Sequence, residues 1–577
     1  MDTDRIVSVE TWNEANRVPR ARLVLYEGPK DDAAFPLSGE KTFLPGAKIV
    51  IGAGYGEEAD TLHSGVIVRH SLRLLPGVSP QLVIETADPL LAMSLRRNSA
   101  VSLEKTDRDL IAALVSASGG TVGKNEASAE PHESFVQYNA CDWDLMLLRA
   151  EAGGCVVVVE DSKVDVIAPG AATSPVLELD YEQALVSLEA TLDAAAPVAA
   201  GAVKSRSWSY GEQSVIVGAA QDPTVTAPGN FGAAELAKVF ALDTVAQQSG
   251  ALLAEARLKG WSSAALLRAK LAAVQGTAQF QGSRLAKPGS VLTLKGVGPR
   301  FEGNAFVGSV RHVIRAGDWQ TVVGLGMAPE SFGSRASEVA APAAGGLLPP
   351  IRGLHTGQVK QVATDPTGDF RVLVTLPLVG GENGVWARPS QIYASNTFGA
   401  LFYPEVGDEV VLGFMDDSPG DPIILGSLYS RTLPPKYAPN EKNDTKAIVS
   451  RSNLEVVFND KEDEVVLEIK TKDGRRIRLA DKKDKEVRVE DQYGNSIVMT
   501  EAKVDIHSVG EMNISSGKDM TIKSGGKLTV TATAPYSVSA PEIKETASGQ
   551  LKIHSDGLGE LSCAAVLTVK GALVQIN

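Results

Sequence analysis

Cysteine, histidine, basic charge and long apolar runs are all scarce in this chain. Three Cys and seven His are spread through 577 residues, and no Cys-x-x-Cys pair occurs. Neither a disulfide framework nor a thiolate zinc site is therefore expected. No stretch of 18 apolar residues exists, and Val156–Val159 is only strand-length, so no membrane-spanning helix is predicted. The first residues, MDTDRIVSVE, are charged from the second position and do not read as a secretory leader. Lys and Arg number 56 against 70 Asp and Glu, a formal charge of −14, which argues against nucleic acid as a main partner. What is plentiful is Gly (55) with Pro (30), a lean towards turns, inside an ordinary globular balance of 44% hydrophobic and 22% charged residues. The length predicts three to five domains.

Residues 1–105 read as strands cut by turn formers, such as Arg22–Tyr26, Lys48–Ile51, Gly65–Arg69 and Gln81–Glu85. Thr106 with Asp109 three residues on predicts an N-capped helix whose apolar face is Leu110, Ile111, Leu114 and Val115. A second helix is expected over 142–152, closed by Gly153-Gly154 before the strand Val156–Val159. Residues 181–202 are Ala-rich, 233–274 carry helical spacing, and strands return over 277–327. Residues 331–350 read as a linker, 351–430 as a strand-rich unit, and 431–446 as a second linker.

From 447 the pattern becomes periodic. Apolar pairs recur at a step of ten: Leu467/Ile469, Ile477/Leu479, Val487/Val489 and Ile497/Met499. The step then tightens to eight at Met512/Ile514, Met520/Ile522 and Leu528/Val530. It slips by one register after Tyr536 and Val538, then resumes at Leu551/Ile553, Gly559/Leu561 and Leu567/Val569. An apolar–polar–apolar triplet is a minimal strand burying one face, and its repetition with short turns points to a β-helix or stacked-strand array. Two inward side chains per repeat make too thin a core to offset the entropy of ordering eight residues. Several chains sharing that core would also pair the strand edges, so an intertwined homo-oligomeric rod is expected. The plainer alternatives are an ordinary antiparallel meander or a solvated tail. Residues 460–491 hold 11 acidic and 10 basic residues, which by composition favours the tail, but disorder does not explain the constant spacing.

Three strings carry a family resemblance. YPEVGDEVVLGFMDDSPGDPIILGSLY (403–429), with WARPS (386–390) and HTGQV (355–359), resembles the OB-fold module of the VgrG spikes of type VI secretion and related phage-tail-like contractile injection systems. QYNACDWDLMLLRAEAGG (137–154) resembles a stretch of that family's hub, with Ala140-Cys141 where a more polar pair is expected. The repeat after 446 resembles its needle. The resemblance implies a mainly β chain with some helix. Residues 1–330 would form a phage-hub-like region of two β-barrel subdomains with helical insertions. Residues 351–430 would form an OB-fold neck, and 447–577 an intertwined triple-stranded β-helix of a homotrimer. Implied partners are inner-tube and baseplate proteins at the hub, effector cargo, and a PAAR-type tip protein at the C-terminal end, with a target membrane contacted only transiently. No cofactor or nucleic acid is implied. Assembly would take place in the bacterial cytoplasm, with delivery outwards as part of the particle. On this reading the needle core is Met512, Ile514, Met520, Ile522, Leu528, Val530, Leu551, Ile553, Leu561, Leu567 and Val569, and the tip docks through Leu573, Val574, Gln575, Ile576 and Asn577.

Chemistry is harder to find. His132-Glu133 opens HESFV, but Val136 stands where a zinc protease needs its second His. Gly52-Ala53-Gly54-Tyr55-Gly56 has the wrong spacing for a dinucleotide loop and is expected in a β-turn. His507 and His554 are expected to face solvent, and Cys141, Cys155 and Cys563 to be small buried residues. The 432–446 gap is too short for a folded hydrolase, and the chain ends seven residues after Lys570. A non-enzymatic spike is therefore the expectation, and a spike with peptidoglycan-degrading activity the alternative.

Overall fold

A computed structural model describes the chain except residues 1–2, 29–34, 56–58, 171–172, 195–201, 226, 243, 337–338, 381–382 and 577. It divides into two units, Met1–Leu428 and Tyr429–Asn577.

The first unit is organised on an eleven-stranded sheet. Its main path runs Leu185–Leu192, Val274–Gln281, Asp318–Leu325, Gly303–Arg315, Ile6–Glu14, Arg20–Tyr26, Gln81–Ala87, Asp60–Arg73 and Lys48–Ala53. The antiparallel pairing of Ile6–Glu14 with Gly303–Arg315 ties the start of the chain to a strand some 300 residues on, which closes the two halves of the sheet on each other. Each half has its own apolar core. One gathers Val9, Leu23, Leu25, Leu82 and Ile84, and the other Phe280, Leu292, Leu294, Val307 and Val323. The alternation of these residues with polar neighbours, two apart along each strand, puts one face of the sheet against the core and the other towards water.

Two helix-bearing insertions fill the middle. In the first, helices Asp107–Ala117 and Asp142–Ala152 lie with a three-stranded sheet of Thr121–Asn125, Lys163–Ile167 and Val156–Glu160. Ile111, Met146, Leu147, Val157 and Val164 form its dry centre. The Thr106 cap is present as a reciprocal capping box with Asp109, which satisfies two backbone donors the helix start would leave orphaned. In the second insertion the helical spacing read over 233–274 becomes two helices with a strand between them: Ala233–Val239, strand Thr244–Ser249 and helix Glu255–Ala272. TVAQQS alternates with period two, and the parallel pairing of this strand with Ala202–Ser209 outweighs local helical preference. The Ala-rich stretch likewise contributes a strand, Leu185–Leu192. The 331–350 segment is also less open than its composition suggests. A short turn of helix at Phe332–Arg335 is anchored by Phe332 N donating to Glu151 Oε2 at 2.7 Å.

Residues His355–Gln361, Val372–Thr375, Val385–Pro389, Pro422–Leu428 and Glu409–Phe414 close a five-stranded barrel. Val359, Val372, Val374, Ala387, Val410, Leu412 and Ile424 fill it. The turn before Glu409–Phe414 needs Gly407, whose φ is +94°, and Asp408 fastens the turn by accepting from Glu405 N at 2.8 Å.

Candidate functional site

The polar groups of the 137–154 string are tied into networks with neighbouring side chains. Gln137 Nε2 donates to Asp142 Oδ1 at 2.8 Å, and Asn98 Nδ2 donates to both Asp142 oxygens. Arg149 forks onto Asp107 with Nε and Nη2 at 2.7 and 2.9 Å, while His132 Nε2 meets the same carboxylate at 2.8 Å. Burial pushes the Asp107 carboxyl up, but Arg149 and His132 outweigh it and hold the group below the ordinary range. His132 is thus a partner in a buried ion-pair network. Strand Asp60–Arg73 occupies the place where a dinucleotide loop would need a helix, and Gly56 lies outside the described residues.

Cys141 and Cys155 are buried, and burial raises their thiols to about 11 and about 12, which leaves both inert as nucleophiles. Cys563 departs from expectation: it is exposed, on a segment whose described residues are all exposed. His507 is exposed, and His554 is exposed with Nε2 2.9 Å from Asp556. Among the described residues no group of three or more His, Cys, Asp or Glu could hold a metal, and no helix is long and apolar enough to cross a membrane.

The chain's most distinctive surface lies in the second unit. Seven strands from Thr445–Val449 to Val504–His507 pair in sequence order as an antiparallel meander. The plainer of the repeat readings describes this part of one chain, because five-residue strands joined by tight turns reverse direction at each step of ten. Register places the apolar pairs opposite one another. Phe458 faces Leu467, Leu467 faces Leu479, Leu479 faces Val487, and Val487 faces Met499. A parallel row runs Val456, Ile469, Ile477, Val489, Ile497 and Ile506. The result is one continuous apolar stripe, and from Ile469 to Met499 its exposed members keep 38–47% of their surface open.

The opposite face is a ladder of charges. Arg478 reaches Glu486 at 2.8 Å and Asp484 at 2.7 Å, Arg488 reaches Glu486 at 2.8 Å, and Arg476 reaches Glu490 at 2.6 Å. Arg488 heads the groups that keep the Glu486 carboxyl below its usual range. The charge run is therefore self-satisfied on one face while the other face stays bare.

Beyond His507 the described residues form no strand or helix, yet the backbone keeps time. Bends fall at 509–510, 517–518, 525–526, 533–534, 541, 548–549, 556–557, 564–565 and 572, a step of eight with the same single slip after 541. A serine marks several corners. Ser516 Oγ donates to Asp519 O and accepts from Lys518 N, both at 3.3 Å. Ser524 repeats this with Lys527 O and Gly526 N, and Ser555 with Leu558 O and Gly557 N. Gly517 and Gly525 mark two of these corners by their own step of eight, whereas the serines at the same step, Ser508, Ser516 and Ser524, are a signal that the apolar pairs overshadow. Met512, Ile514, Met520, Ile522, Leu528, Val530, Leu551, Ile553, Leu561, Leu567 and Val569 are all exposed in one chain, as are Leu573, Val574, Gln575 and Ile576; Asn577 lies outside the described residues.

The family model described as the Alg8 N-terminal domain matches residues 1–316, more than half of the chain. The chain belongs to the Alg8 N-terminal domain family. A second model, the type VI secretion system/phage-baseplate injector OB domain, matches 355–429, the closed barrel. The chain is also related to the VgrG spike proteins. It is 28% identical over 124 residues to the type VI secretion system spike protein VgrG1c of Pseudomonas aeruginosa, a match covering 20% of this chain and 17% of that one. It is 35% identical over 65 residues to the actin cross-linking toxin VgrG1 of Vibrio cholerae, covering 11% and 6%. The chain thus spans less than a fifth of the length of either relative. Among solved structures, the 43 kDa tail protein of prophage MuSo2 from Shewanella oneidensis aligns with 56% of this chain and 94% of that one, at 9% identity and a TM-score of 0.43.

Proposed function

We propose that the chain is a structural spike of a contractile injection machine, working as a homotrimer and without catalysis of its own. The observation that carries this reading is the pairing of a bare apolar stripe with an octad-spaced tail that has no strand partner among the described residues. An amphipathic sheet with one face uncovered is stable only against another apolar surface. A second and a third copy supply that surface with the same spacing, as symmetric assembly requires. In the tail, each extended rung between bends presents unpaired backbone N–H and C=O groups, which rungs of two neighbouring chains can satisfy.

On this reading Met512/Ile514, Met520/Ile522, Leu528/Val530, Leu551/Ile553, Leu561 and Leu567/Val569 form the seam of a rod spanning the later part of 447–577. Residues 573–577 form its apolar tip and dock a PAAR-type cap. The hub meets the inner tube and baseplate, the barrel serves as the neck, and effectors travel with the assembly through the target envelope on contraction. Intertwined chains suit that load because no strand can peel away singly. Low-dose electron imaging of the purified protein tests this. Three-fold particles with a thin rod are expected, and rodless single-chain particles would overturn the proposal. Incubation with peptidoglycan is expected to release no fragments; measurable release would favour the enzymatic alternative.

A further inference from the structure

The water-facing side of the eleven-stranded sheet carries a charge pattern opposite to that of the whole chain. Register aligns Glu10 with Arg22, Arg22 with Glu85, and Glu85 with Arg69 in one rung across four strands. Arg20 lies opposite Trp12, and Arg73 opposite Gln81, on the same side. From the next strand Arg311 and Arg315 reach over Glu10 at 2.7 and 2.5 Å, and Arg311 also stands 5.7 Å from the Trp12 ring centre. Six arginines therefore share this face with four carboxylates, Glu10, Glu14, Glu85 and Asp318, a local positive excess in a chain of net charge −14.

The carboxylates are already used: Glu14 meets Arg17 at 3.1 Å, and Asp318 accepts from Gln320 Nε2 at 2.7 Å. Glu10 is held below its ordinary pKa because Arg311 and Arg315 outweigh the burial that would raise it, and Glu85 is taken by Arg69 at 3.2 Å. Arg315 and Arg69 remain 63% and 68% exposed, so their forks have room for further acceptors. Arg22, Arg69 and Arg73 also line a hollow of about 350 Å³, where the buried Arg22 Nε has no hydrogen-bond partner.

We propose that this arginine face is a docking surface for an acidic protein partner, whose Asp and Glu carboxylates seat on the forks of Arg69, Arg73, Arg311 and Arg315. Guanidinium forks match carboxylates in a two-pronged geometry, and an Arg–Trp pairing at the centre of a patch is typical of residues that carry binding energy. A carboxylate partner is favoured over a polyphosphate because carboxylates already seat on these guanidinium forks within the chain, Glu10 on Arg311 and Arg315 and Glu85 on Arg69. The inference does not depend on the spike reading, since it concerns the sheet rather than the rod.

The test measures binding of the full chain to labelled poly-L-glutamate, and to duplex DNA of matched charge, at low salt. Poly-L-glutamate is expected to bind. Joint replacement Arg69→Gln, Arg73→Gln and Arg315→Gln should weaken it at least about tenfold. Lys472→Gln with Lys483→Gln in the second unit should change it less than about twofold. The Lys versions of the three arginines keep the charge and lose the fork, and recovery of less than half the loss supports fork recognition. Unchanged binding by the Gln variant, full recovery by the Lys variant, or DNA binding as tight as poly-L-glutamate would each overturn the proposal. Since the three side chains lie on a solvent face, an unaltered melting curve separates lost binding from lost fold.

Discussion

Ile477 stands directly opposite Val489 on the neighbouring strand, and both remain more than 40% exposed. A cross-strand pair of this kind stabilises a sheet when a second surface covers it, and among the described residues of its own unit none does. On the proposed trimer Val489→Asp would place a carboxylate in a seam between copies, where an unpaired charge costs several kcal/mol. The expected outcome is loss of the trimer on size-exclusion chromatography with an unchanged circular-dichroism signature from the first unit. Glu490→Gln, one residue on but on the charged face, should leave assembly intact.

The serine corners give a finer test. Ser516→Ala and Ser524→Ala each remove a hydroxyl that bridges a bend, worth about 0.5–1.5 kcal/mol per hydrogen bond. Together they should lower the melting temperature of the assembled rod by a few degrees without dissolving it at room temperature. Thr at the same positions keeps the hydroxyl and should restore most of the loss.

Two buried histidines set an acid limit on the first unit. His63 lies 2.6 Å from Thr86 Oγ1 and His312 lies 3.0 Å from Thr321 Oγ1, and burial lowers both to about 4. A lowered folded value means that the unfolded chain takes up protons first as pH falls below about 6.5. Stability of this unit should therefore decline between about pH 6.5 and 4, by up to ~3 kcal/mol per histidine. His63→Gln with His312→Gln should flatten that limb in denaturant titrations across pH.

Asp107 acts in a lower window. Its carboxylate is held low by Arg149 and His132 against the opposing effect of burial, so its contribution is present above the unfolded value near 3.9 and fades as pH falls through the folded one. Asp107→Asn leaves Arg149 facing a neutral amide and should cost about 3–5 kcal/mol at pH 7. Thermal melts should show that loss, with the penalty shrinking in strong acid.

Local signals in the sequence were readable where chemistry alone decides. The Thr106–Asp109 box and the helix closed at Gly153-Gly154 stand where residue type requires them. Spacing also placed the strands of the charged repeat, because a step of ten leaves little choice of register. What stayed hidden depends on partners far along the chain. Strand Thr244–Ser249 is fixed by its pairing with Ala202–Ser209, and Phe332 by the buried carboxylate of Glu151. The arginine face escaped notice for the same reason: Glu10, Arg22, Glu85, Arg69 and Arg311 are scattered in sequence and meet only across the sheet.

The most direct test of the account is the mass of the purified full chain under native conditions. A homotrimer of 60.7 kDa chains predicts a single species near 180 kDa that persists on dilution. A stable species at the mass of one chain, with the 477–489 stripe still open to solvent, would contradict it.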